Sequence, residues 1–91
     1  MRENQLQKQA VRYLKKVPDL WFYVVNDRVT SGIPDIVMCH RGRFKAIELK
    51  VGKNKPTELQ KIQLERIQES GGLVTVAYDL DAVVNFIQNT H

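Results

Sequence analysis

Fourteen residues of helical periodicity, 57–70, lie between two short apolar segments, 43–51 (RFKAIELKV) and 73–77 (LVTVA). Strand, helix, strand in that order leaves little freedom. Two strands joined by a helical crossover lie parallel, and the connection is right-handed. In the helix, Leu59, Ile62, Arg66 and Ile67 form one stripe, and Gly71-Gly72 ends it. A parallel pair exposes apolar surface on both faces, so further helices must cover it.

The remaining segments supply those layers. Residues 3–16 read as a helix, with Leu6, Ala10, Val11 and Leu14 at helical spacing, basic residues in its last turn and Pro18 as its stop. Residues 20–25 (LWFYVV) are aromatic and β-branched and too short for a helix. They read as a strand buried on both faces. After a polar loop, 26–32, residues 35–39 (DIVMC) form a strand joined to 43–51 by His40-Arg41-Gly42, a hairpin turn. Residues 52–56 (GKNKP) are a basic loop, and 79–89 a closing helix with Val83, Phe86 and Ile87 facing in. The expectation is an α/β chain of order αβββαβα, with a mixed sheet of about four strands flanked by helices in a single domain over 1–91.

Composition narrows the function classes. The chain has 91 residues, 43% hydrophobic and 26% charged, an ordinary globular balance. Its longest apolar run is six residues, 20–25. A membrane helix needs about 20, so none is expected. With Cys39 as the only cysteine, an intrachain disulfide and a Cys-rich zinc site are excluded, and a reducing cytoplasm is the expected compartment. Cys39 reads as core and the two histidines as surface. Trp21, Phe22 and Tyr23 read as core or interface rather than a platform for bases. The net charge of +4 suits a polyanionic partner, but it equally suits plain solubility.

Three acids and a lysine fall where this topology can gather them. Glu48 and Lys50 are two apart on one strand and so share a face. From the turn centre near Arg41, Asp35 lies six positions back and Glu48 seven forward, which makes them neighbours across the hairpin. Two carboxylates on an apolar strand pair repel unless one stays protonated or a cation joins them. Mg²⁺ favours such oxygen ligands. Glu3 continues the inward line of the first helix. It could reach the same cation or simply complement the helix dipole.

Pro34-Asp35 followed by Glu48-Leu49-Lys50 resembles the PD-(D/E)xK nuclease signature. The surroundings resemble its VRR-NUC branch: MRENQLQKQAVRYL, then SGIPDIV, AIELK, a basic loop into PTELQ, and GGLVTVA. The resemblance implies a restriction-endonuclease-like core. It also implies that Glu3, Asp35, Glu48 and the Leu49 carbonyl are metal ligands, that Lys50 orients or activates water, and that Gln60 supports the site. Lys50 is left open between a base and an electrostatic clamp. Gln60 has a second role available, because Thr57-x-x-Gln60 is a capping-box pattern.

The activity so implied is Mg²⁺-dependent hydrolysis of DNA phosphodiesters, with Mn²⁺ as a substitute, by a homodimeric Holliday-junction resolvase of phage or bacterial type. Two sites related by a two-fold axis suit two symmetric cuts. Lys53, Lys55 and Arg28 are the expected DNA contacts. The alternatives are a flap or nicking nuclease on the same scaffold, and a non-catalytic nucleic-acid-binding module. The intact acidic set argues against the last, since a pure binder gains nothing from acids facing phosphate.

Overall fold

A computed structural model describes residues 1–26 and 29–90. The order is α1 (Glu3–Leu14), β1 (Leu20–Val24), β2 (Ile36–His40), β3 (Arg43–Leu49), α2 (Glu58–Glu69), β4 (Leu73–Ala77) and α3 (Leu80–Asn89). The strands form one sheet in the order β1-β2-β3-β4. β1, β2 and β3 pair antiparallel, and β3 pairs parallel to β4 through the α2 crossover. Arg41 and Gly42 take positive φ, 52° and 82°, at the tight β2–β3 turn. No described helix is long and apolar enough to cross a membrane.

Side-chain alternation divides the sheet into two unequal faces. Ile36, Met38, Ile47, Leu49 and Ala77 point to one face, where Leu6, Ala10 and Leu14 of α1 and Val83 and Ile87 of α3 close over them. This is the main core, and each of these residues is at most 3% exposed. On the opposite face α2 packs over β4.

That one-sided cover corrects three sequence expectations. β1 is not buried on both faces: it is an edge strand, and Trp21 and Tyr23, 63% and 56% exposed, point to the uncovered side. Their rings stack with centroids 6.5 Å apart. Cys39 is exposed rather than core, because it sits on β2 between Trp21 and Phe44 on that same side. In α2, Leu59 and Ile62 are exposed and Leu64 is the buried residue. The inward line is Gln60, Leu64, Ile67, spaced i, i+4, i+7.

His40 corrects a fourth expectation. It is 8% exposed, because it ends β2 on the covered face, beside the fully buried Lys45. His91 and Arg28 lie outside the described residues.

Candidate metal and phosphate site

The carboxylate pair is a product of hairpin register. Ile36 opposes Ile47 in the β2–β3 ladder, so the next pair outward is Asp35 and Glu48. Two backbone anchors fix Asp35. Its carbonyl accepts from the Val25 N–H at 2.8 Å, and its Oδ2 accepts from the Leu49 N–H at 2.7 Å. Leu49 places its side chain in the core, fully buried. Beyond the strand end, the Lys50 N–H continues the parallel ladder to the Ala77 carbonyl at 3.0 Å. Glu48 and Lys50 therefore keep strand alternation and share a side.

Glu48 is the anomalous group. It is 1% exposed, and its Oε2 has no hydrogen-bond partner. Burial above all pushes its pKa up to about 9. The hydrogen bond with Asp35 and the charge of Asp35 push the same way, Lys50 opposes them, and Glu3 adds a small further rise. Glu3, half-buried in the first turn of α1, is thus near enough for its charge to be felt at Glu48.

The three carboxylates do not close into one shell. Among the described residues, no group of three His, Cys, Asp or Glu side chains stands close enough together to hold a metal ion. The physical reason lies in the charges. Asp35 turns one oxygen to the Leu49 N–H, burial and Asp35 already disfavour a charge on Glu48, and a third anion gains nothing by joining the pair. The donor set nevertheless fits a hard divalent cation. An orphaned, buried carboxylate oxygen beside a second carboxylate is a costly arrangement, and a cation bound between them relieves it.

The remaining sequence candidates divide. Gln60 fills the capping role: its Oε1 accepts from the Thr57 N–H at 2.8 Å, and its own N–H reaches the Thr57 hydroxyl at 3.2 Å. This fixes the first turn of α2. Gly32, in the loop that leads to Asp35, presses against the same turn. A Cβ there would lie 2.5 Å from the Leu59 carbonyl oxygen and 2.9 Å from the Gln60 nitrogen. Lys53 and Lys55 are exposed in the loop after β3. That loop is held by Asn54, whose N–H bonds the Val51 carbonyl and whose carbonyl accepts from the Tyr78 hydroxyl at 2.8 Å. Neither the Gly32 contact nor the Tyr78 tie was foreseen. A Gly just before Pro-Asp is the only sequence signal for the first, and there is none for the second.

The sequence matches no family model and no curated protein. Solved structures are similar. One, described as "VRR_NUC domain", superposes with a TM-score of 0.82 at 24% identity, covering 98% of this chain and 97% of that one. Another, a "VRR_NUC domain protein", gives 0.83 at 23% identity over 97% and 86%. Nearly the whole chain is thus built as those domains are. The mixed four-stranded sheet, its three helices and their order are the VRR_NUC fold.

Proposed function

We propose that this chain is a divalent-cation-dependent nuclease that hydrolyses DNA phosphodiesters at Asp35, Glu48 and Lys50. The observation that carries this reading is the buried Glu48 carboxylate, with one oxygen unpartnered, next to Asp35. The shared VRR_NUC fold supports the same reading.

Asp35 and Glu48 would hold the cation, with the Leu49 carbonyl and Glu3 as the nearest further donors. Bound Mg²⁺, or Mn²⁺ in its place, supplies positive charge to polarise a phosphate oxygen and lowers the pKa of a water. Lys50 sets its ammonium beside the developing negative charge at phosphorus, where a fixed cation in a partly desolvated site is most effective. The water oxygen would bond to phosphorus as the bond to the leaving sugar oxygen breaks, the water giving up one proton and the leaving oxygen taking one up from solvent. Lys53 and Lys55, on the loop just past Lys50, would contact phosphates beside the cleavage site, which is sequence-independent binding.

The finer reading is an endonuclease acting as a homodimer on branched DNA. The open sheet face bearing Trp21, Tyr23 and Phe44 supports self-association, since exposed aromatic clusters mark interaction surfaces. Incubation with labelled four-way junction, flap, duplex and single-stranded DNA, with Mg²⁺ and with chelator, tests both levels. Metal-dependent cutting of the junction is the expected result. Cutting confined to the flap, or nicking of the duplex, would replace the junction reading, and binding without cutting anywhere would end the nuclease reading.

A further inference from the structure

The charge of the chain is concentrated away from the carboxylates. Residues 8–19 and 40–45 carry seven basic side chains and one acid, Asp19, a local charge of +6, against −2 for the rest of the chain. In the fold these two segments meet. A cavity of about 570 Å³ opens between the end of α1 (Tyr13, Lys16), the β2–β3 hairpin (His40, Arg41, Lys45) and the end of α3 (Thr90). None of the described residues that line it is a carboxylate.

Lys45 is the unusual member. It is fully buried, and among the described residues the partners of its ammonium are neutral: the Thr90 hydroxyl at 2.6 Å, the Thr90 carbonyl at 2.9 Å and His40 Nδ1 at 3.1 Å. Burial depresses its pKa, and Arg43 and Arg41 add to this. The His40 pKa is lowered too, by burial, then by Lys45 and Arg41, with Asp19 opposing. The C-terminal end of α3 offers at most about half a negative charge in compensation. Asp19 is engaged at the rim, 3.9 Å from Arg41 and largely in solvent. A buried ammonium to which the described residues bring no full counter-charge is costly, and a bound anion lowers that cost.

We propose that this cavity is a phosphate-binding site, distinct from the carboxylate pair. It takes a phosphate group against Lys16, Arg41 and the field of the buried Lys45. The cavity falls within the usual range for small ligands, about 300–1,000 Å³, so it admits a phosphate ester and not only the bare ion. The same chemistry has two sources, a free phosphate ester or one phosphate of a nucleic-acid strand. For a strand, Lys8, Arg12 and Lys15, at i, i+4, i+7 on α1, form a basic line towards the cavity. Lys45 lies three residues from Glu48 on β3, about 10 Å along the strand, and alternation turns the two side chains to opposite faces of the sheet.

Amide NMR spectra of the metal-free protein, titrated with inorganic phosphate and with adenosine monophosphate at constant ionic strength, test this site without any cleavage. Saturating shifts confined to residues 13–18, 40–45 and the end of α3 are expected, at least tenfold weaker in the Lys16→Ala/Arg41→Ala double variant. Both replaced residues are exposed, so the rest of the spectrum should stay unchanged. Shifts equal to those in chloride, or unaltered in the double variant, would overturn the proposal. A short duplex in chelator then separates the sources. Displacement of phosphate by DNA assigns the site to a strand, and its failure to displace assigns it to a free ester.

Discussion

Asp35 and Glu48 stand opposite each other one step beyond the last β2–β3 pair, close enough for Asp35 to help burial push the Glu48 pKa up. Burial first, then Asp35, favours the protonated form of Glu48. A cation bound between the two carboxylates would compete with that proton, so both stability and metal affinity should depend on pH.

Stability of the metal-free protein should fall as pH rises. Glu48 titrates near 4.5 when unfolded and near 9 when folded, so between those values the folded state holds the extra proton. The contribution is complete below pH 4.5 and is lost towards pH 9, with a limiting slope of about 1.4 kcal/mol per pH unit. Urea melts in chelator should show this decline, and Glu48→Gln, which has no proton to lose, should flatten it.

Metal affinity should move in the opposite direction. A cation competes with the Glu48 proton, so the affinity of Mn²⁺ should rise by up to about tenfold per pH unit between pH 6 and 8. Calorimetry in buffers of different ionisation enthalpy should register about one proton released per cation. Affinity independent of pH would contradict the assignment of Glu48.

Gly32→Ala should be far more damaging than Gly52→Ala. Both glycines have positive φ, 84° and 58°, which costs an alanine about 1 kcal/mol. At Gly52 a Cβ meets nothing within 4 Å, whereas at Gly32 it meets the α2 backbone at 2.5 Å. The expected losses are about 1 kcal/mol and on the order of 3 kcal/mol or more. Similar midpoints for the two variants in urea would refute the close approach of the Asp35 loop to α2.

If the open face of β1 and β2 is where two copies meet, light scattering should give twice 10.5 kDa at micromolar concentration, and Trp21→Glu should halve it. A wild-type monomer, alone and on DNA, would remove the dimeric resolvase reading and leave the nuclease reading standing.

Much of this was legible in the sequence because short connections fix geometry. A tight hairpin sets register; the turn is Arg41-Gly42, with His40 paired to Arg43 in the ladder, and counting from it brings Asp35 opposite Glu48. The β–α–β crossover and all seven elements followed from periodicity and turn residues. What periodicity did not give was which face is covered. Leu59 and Ile62 make as good an apolar stripe as Leu64 and Ile67, and only the position of α2 over β4 decides between them. Trp21 and Cys39 were misplaced for the same reason. The burial of Lys45 did have a signal that was passed over: Lys45, Ile47 and Leu49 alternate on one face, and the latter two are core.

The central claim is that Asp35 and Glu48 hold a cation for phosphodiester hydrolysis, and single-turnover cleavage of labelled DNA tests it most directly. Wild type should cut with Mg²⁺ and not with chelator. Asp35→Ala should lose a factor on the order of 10²–10³ or more while binding DNA as well or better, since an anion facing phosphate is gone. Cleavage by Asp35→Ala at the wild-type rate, or by wild type in chelator, would contradict the account.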